Sequence, residues 1–213
     1  NHSLLMTDIG QKGFLPEYSV VIIDEAHNLI KSAYDQFRIE WTEQKSNYAL
    51  QTVDPSFPRS ARWNNIIQSI NDINPDIGLQ RDQLKAAVGD AKSILKSMMV
   101  SLGEENENKF TPHNTYQDQP IIGNINKAHG PLQSDILDMK KILDFILICI
   151  SRIQKIVLGI DNKRKDYPIL HSALDRGLDI INNMISALIV LTEDQDPGWV
   201  YWMEGQYRGK SNN

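Results

Sequence analysis

Cysteine is nearly absent from the chain. The single thiol, Cys149, rules out an internal disulfide and a cysteine-built metal centre, and its place inside an apolar helical run marks it as a buried hydrophobe. So low a cysteine content fits a reducing cytoplasm. Long hydrophobic runs are missing as well. The longest strongly apolar stretch, Ile142–Ile150, is interrupted by Asp144 and falls far short of the roughly 20 residues a membrane-spanning helix needs. No signal peptide is visible. There is no basic surplus: 27 acidic residues outweigh 22 basic ones, for a net charge of -5. That argues against a protein that coats nucleic acid over its whole surface and still permits a local basic groove. His2, His113, His129 and His171 lie too far apart for metal-ligand spacing and read as surface or loop histidines. Finally, no Gly-x-x-x-x-Gly-Lys-Ser/Thr segment occurs. A chain of 213 residues holds one large or two small domains. With Asn rather than Met in first place, it reads as a piece of a longer protein.

What is present begins with Val20-Val21-Ile22-Ile23-Asp24-Glu25-Ala26-His27. Four consecutive β-branched apolar residues predict a strand buried on both faces, as in a parallel sheet. Two carboxylates and a histidine follow where such a strand would leave its sheet, the usual place for ligands in open α/β folds. An acidic pair there suits a hydrated Mg²⁺ on a nucleotide phosphate, because Mg²⁺ takes few protein carboxylates and keeps several waters. The blander account is an acidic helix start, with Asp24 as the cap and Glu25 favoured by the positive end of the helix. Both can hold together.

The flanks of this run sharpen its meaning. Asn1-His2-Ser3-Leu4-Leu5 and Leu15-Pro16-Glu17-Tyr18 precede it, and Asn28-Leu29 follows at once. In their order, these elements and the Asp24-Glu25-Ala26-His27 (DEAH) box resemble the XPD/DinG family of superfamily 2 DNA helicases. The close resemblance covers Asn1 to about Leu29, with a weaker echo near Trp199–Glu204. It implies that Asp24 holds Mg²⁺ through water, that Glu25 orients and deprotonates the water attacking the γ-phosphate, and that His27 links the nucleotide state to DNA-binding motifs. Phosphoryl transfer suits such a set, since it needs charge neutralisation and a positioned nucleophile more than covalent chemistry.

Beyond His27 the chain turns helical. Helices are predicted over about Glu25 or Ala26 to Phe37, Thr42–Val53 and Arg62–Ile73, the last stopping at Asn74-Pro75 because the residue before proline is pushed out of the α region. Three long helices follow. Their stripes are Leu84, Val88, Ala91, Leu95, Met98, Leu102, then Ile136, Met139, Leu143, Ile146, Ile150, Ile153, Val157, Ile160, and last Leu174, Leu178, Ile181, Ile185, Leu188. Steps of three and four are the seams of helices packed at about 20° in antiparallel bundles. Leu147, Leu158, Ile180 and Met184 widen these faces, so each helix is expected to touch more than one neighbour. Residues 103–130 form a long polar connection with an extended piece at Gln119–Ile122, and Trp199–Glu204 reads as a strand.

Basic residues supply the nucleic-acid candidates. Arg59 and Arg62 stand beside Trp63, a cation–aromatic pairing that suits a stacked base and its phosphate, although Trp63 also fits the stripe of Ile66, Ile67 and Ile70. Lys163, Arg164 and Lys165 cluster at a helical hairpin tip, where Asp161 and Asp166 favour a solvated turn.

The expectation is therefore a mainly α fold. An antiparallel helical bundle, the family's arch domain, over residues 30–197 is attached to a small α/β remnant of a RecA-like motor domain over 1–29, with 198–213 as a return strand and frayed tail. The resemblance implies a bacterial, nucleoid-associated, ATP-dependent 5′-to-3′ DNA helicase as the parent protein. Its cofactors are ATP and Mg²⁺, its partners single-stranded and forked duplex DNA and possible repair or replication proteins, and it has no membrane attachment. Ligands of any iron–sulfur cluster would lie upstream of Asn1. The alternatives are a non-catalytic protein- or DNA-binding module and a DinG-like nuclease without helicase activity.

Overall fold

The computed structural model describes residues 2–57, 65, 67, 68, 70–72, 74–106, 131–159 and 167–192. Their helices include α1 His2–Gln11, α2 His27–Phe37, α3 Glu43–Val53, α4 Asp76–Asn106, α5 Pro131–Gly159 and α6 Tyr167–Thr192. The chain divides into two compact units, Asn1–Glu40 and Trp41–Asn213.

In the first unit α1 packs on α2. Gly10 permits this approach, since a Cβ there would stand 3.1 Å from the Phe37 ring. Thr7 Oγ1 donates to Ser3 O within α1 and lies 3.3 Å from Gln36 Oε1 of α2. Past Gln11 the helix stops in two left-handed residues, Lys12 (φ 35°) and Gly13 (φ 102°). Glycine accepts such a φ without steric cost, which is its common use just beyond a helix end.

The expected buried strand at Val20–Ile23 does not form. No strand occurs among the described residues, and Val20 and Ile22 are 78 % and 93 % exposed while Val21 and Ile23 are 43 % and 37 % exposed. A strand is completed only by a neighbour that supplies matching N–H and C=O groups, and no described segment does so. The segment keeps the alternation of an extended chain, with successive side chains on opposite faces. One face is half-covered by the unit and the other is bare.

The second unit is a helical core. Thr42 (φ −136°, ψ 153°) caps α3, its Oγ1 accepting from Lys45 N. The helix ends at Asp54, whose Oδ1 accepts from Ser56 N and whose Oδ2 pairs with Lys92 Nζ, tying this turn to α4. Asn65, Ile67, Gln68, Ile70 and Asn71 are helical, and Asn74 stands outside any helix, its Oδ1 accepting from Asp76 N to open α4. Helix α5 packs on both α4 and α6, and α3 packs on both α4 and α6.

The predicted stripes form most of this core. Leu84, Val88, Ala91, Leu95 and Met98 of α4 are buried, as are Ile136, Met139, Leu143, Ile146, Ile150, Ile153 and Val157 of α5, with Cys149 among them. Two details differ. Leu158 is 65 % exposed, so it does not widen the face of α5. On α6 the deepest row is Leu170, Leu174, Gly177, Ile181, Met184 and Leu188, with Leu178 and Ile185 only half-buried beside it. Gly177 explains the shift: a Cβ there would lie 3.1 Å from Val53 Cγ1 and 3.7 Å from Ile150 Cδ1, so α3 and α5 approach α6 at this point. Ile160, Gln119–Ile122 and Trp199–Glu204 lie outside the described residues.

Candidate functional site

Asp24, Glu25 and His27 stand together where the extended run turns into α2. The turn is unusual in its backbone. Glu25 has φ 51°, a left-handed value that costs a residue with a side chain about 1–2 kcal/mol. The neighbouring hydrogen bonds hold it there. Glu25 N–H donates to Asp24 Oδ1 at 2.9 Å, the Asp24 carbonyl accepts from His2 Nε2 at 2.8 Å, and the Glu25 carbonyl accepts from Asn28 N at 2.9 Å.

This arrangement replaces the expected helix cap. The residue in the cap position is Ala26, in the right-handed α region and without a side-chain cap bond, and α2 begins at His27. Asp24 folds back on its own peptide instead, so Asp24 Oδ2 is without a partner among the described residues. His27 Nδ1 lies 3.2 Å from Glu25 Oε2, with 72 % and 65 % of the two side chains exposed. Both carboxylates are therefore open to a ligand arriving from solvent. An acceptor-only group at the surface is suited to water, to a hydrated cation or to a hydroxyl.

No group of three or more His, Cys, Asp or Glu residues is placed to hold a metal among the described residues. The donor set at the turn is thus two adjacent carboxylates. That suits outer-sphere contact with a hydrated Mg²⁺, which keeps several of its waters, and does not suit a fully dehydrated ion. The second unit offers no alternative site of ligand size in its cleft between Val53, Leu84, Ile150, Leu174 and Gly177. At about 10 Å³ that cleft has room for at most about one water.

A second cluster at this end of the chain has no counterpart in the sequence patterns. Asp8, buried near the end of α1, accepts through Oδ1 from Gly13 N, Phe14 N and Leu15 N at 3.0, 2.8 and 2.9 Å, and through Oδ2 from Tyr18 Oη at 3.1 Å. Donation from Leu15 N, supported by Tyr18, Phe14 and Gly13, holds the Asp8 carboxyl below its ordinary range against the opposing effect of burial. The same bond to Asp8 raises the Tyr18 phenol above its ordinary value. The only sequence signal was an aspartate five residues before a loop glycine, a residue type that bonds readily to nearby backbone. His2, read from sequence as a surface histidine, is half-buried and bonded to Asp24.

The nucleic-acid candidates Arg59, Arg62, Lys163, Arg164 and Lys165 lie outside the described residues, as do Trp63, His113 and His129. No helix among the described residues is long and apolar enough to cross a membrane. Comparison with family models, with curated proteins and with solved structures finds no match to this chain.

Proposed function

We propose that this chain is a segment of an ATP-dependent DNA helicase resembling the XPD/DinG family. The observation that carries the proposal is the DEAH box at Asp24–His27, preceded in order by Asn1–Leu5, Leu15–Tyr18 and a β-branched run. Its exposed carboxylates add support: Glu25 points no hydrogen-bonding capacity into a core, and Asp24 Oδ2 remains able to accept from a metal-bound water. When bound, Mg²⁺ neutralises charge on the nucleotide phosphates. Glu25 then orients the attacking water and takes its proton, and His27, whose Nδ1 lies 3.2 Å from Glu25 Oε2, links the nucleotide state to the DNA-binding motifs.

On this reading Val20–Ile23 is a sheet strand in the whole motor domain, where its bare face is covered. Residues 30–197 are an antiparallel helical arch inserted into that domain, which helps enclose single-stranded DNA while the motor steps. Arg59, Arg62, Lys163, Arg164 and Lys165 are its proposed phosphate contacts. The parent protein is assigned to the bacterial cytoplasm, at the nucleoid, with forked duplex DNA as substrate. Strand displacement by the intact parent tests this. Unwinding of a duplex with a 5′ tail and not of one with a 3′ tail is expected, and no unwinding of either, from a folded parent with ATP and Mg²⁺, refutes it.

A protein-binding module is the second reading, favoured by Leu137, Phe145 and Ile148, which are exposed on α5 at helical spacing. Loss of a partner on Phe145→Ala, with ATP turnover unchanged, would select it for the arch.

A further inference from the structure

The direction in which Glu25 leaves the backbone is set largely from α1. A peptide unit is planar, so fixing its carbonyl also fixes its N–H. The Asp24–Glu25 peptide is held on both sides, its carbonyl by His2 Nε2 and its N–H by Asp24 Oδ1. The torsion that follows is the left-handed φ of Glu25, a conformation side-chain-bearing residues seldom adopt without such constraint. A carbonyl can only accept, so Nε2 carries the proton, a condition met by the neutral Nε2–H tautomer and by imidazolium alike.

The other end of the segment is fastened to the same helix. Asp8 gathers Gly13, Phe14, Leu15 and Tyr18 at one end of α1, while His2 takes Asp24 at the other. Six helical steps, from His2 to Asp8, separate the two anchors by about 9 Å along the axis. From Tyr18 to Asp24 the chain has a reach of up to about 20 Å if extended, enough to return along α1 from the Asp8 end to the His2 end. Between the anchors it forms neither helix nor strand. Side chains of α1 therefore hold the two ends of this segment.

We propose that His2 is a positioning residue for Glu25: through the Asp24 carbonyl it holds the peptide plane that aims the Glu25 carboxylate. The proposal rests on the assignment of Glu25 as the group that acts on the attacking water.

The test is steady-state ATP hydrolysis by the full-length parent at saturating single-stranded DNA. His2→Ala and His2→Gln are each made alone and combined with Glu25→Gln. His2→Ala is expected to lower kcat at least about tenfold with KM for ATP within about twofold, because small misplacements of a catalytic group cost up to about 100-fold in rate. His2→Gln, whose amide N–H can still donate, recovers most of that loss. In the Glu25→Gln background His2→Ala changes the residual turnover less than about twofold, since its effect passes through Glu25. Unchanged kcat in His2→Ala overturns the proposal, as does an equal loss in both backgrounds. Should His2→Ala fail to fold, as read by circular dichroism, His2→Phe carries the test: it keeps a ring and removes the donor, and wild-type turnover in it overturns the proposal. A folded wild-type parent without turnover refutes the helicase assignment and the positioning role with it, whereas normal turnover with silent His2 variants refutes only the latter.

Discussion

Gly177 is the sharpest point at which to perturb the helical unit, because two opposing effects meet there. A glycine inside a helix costs about 1 kcal/mol relative to alanine, so Gly177→Ala gains that much from the backbone of α6. Against it stands a contact of 3.1 Å between the new Cβ and Val53 Cγ1, with Ile150 Cδ1 at 3.7 Å. Val53 borders the one-water cleft beside Gly177, so it has room to move the few tenths of an ångström required. The two effects then nearly cancel, leaving Gly177→Ala between unchanged and about 0.5 kcal/mol more stable, a fraction of the full propensity gain. Gly177→Leu exceeds what the cleft absorbs and loses about 2 kcal/mol through overpacking. Val53→Ala removes the atoms in the way. It should restore stability in the Gly177→Leu background while destabilising the wild type, a coupling of about 1–2 kcal/mol. Urea denaturation of the 213-residue chain, followed by helical circular dichroism, reads all four variants. A Gly177→Leu protein as stable as wild type, or additive effects of the two substitutions, would refute this account of how α3, α5 and α6 meet.

Three further outcomes follow from other contacts. Leu143→Ala, at a fully buried position of α5, should cost about 2–5 kcal/mol, whereas Leu158→Ala on the exposed side should stay within about 0.5 kcal/mol, both by the same denaturation assay. Thr42→Ala removes the side-chain cap of α3 and should cost about 1 kcal/mol. The Asp8 clasp has a pH window of its own. Because the folded Asp8 carboxyl is depressed, its contribution is complete above the ordinary aspartate value of about 3.9 and is lost as pH falls through the lower folded value. Tyr18, raised by the same bond, loses its contribution only as pH rises above the ordinary phenol value of about 10 and through the folded one. Amide exchange at Gly13, Phe14 and Leu15 reads the clasp directly, and Asp8→Asn should accelerate all three at neutral pH; unaltered protection would show that Asp8 does not hold the loop.

The helical unit was legible because apolar residues spaced by three and four leave a periodic trace, and Leu84–Met98 and Ile136–Val157 are buried in that register. Gly177 left no trace, since a residue without a side chain adds nothing to a hydrophobic stripe. The stripe of α6 was consequently centred on Leu178 and Ile185 instead of the deeper row through Gly177 and Met184. Val20–Ile23 failed for another reason. Its composition records a preference for burial in a sheet, but pairing depends on a neighbour, and local sequence does not say whether the neighbour is at hand. The Asp24–Glu25–His27 cluster was visible as a motif. What holds its shape was not, because the bonds from His2 and Asp8 join side chains to backbone across a loop, and neither hydropathy nor spacing carries that information.

Glu25 is proposed to act in a DNA-stimulated ATP hydrolase. The most direct test is ATP turnover by the intact parent protein, with and without single-stranded DNA, beside the Glu25→Gln variant. Turnover should rise with DNA and fall by at least about 100-fold when Glu25 loses its charge, the scale of losing both a general base and its positioning of water. A folded parent that hydrolyses no ATP, or one whose turnover is indifferent to Glu25→Gln, would contradict this role.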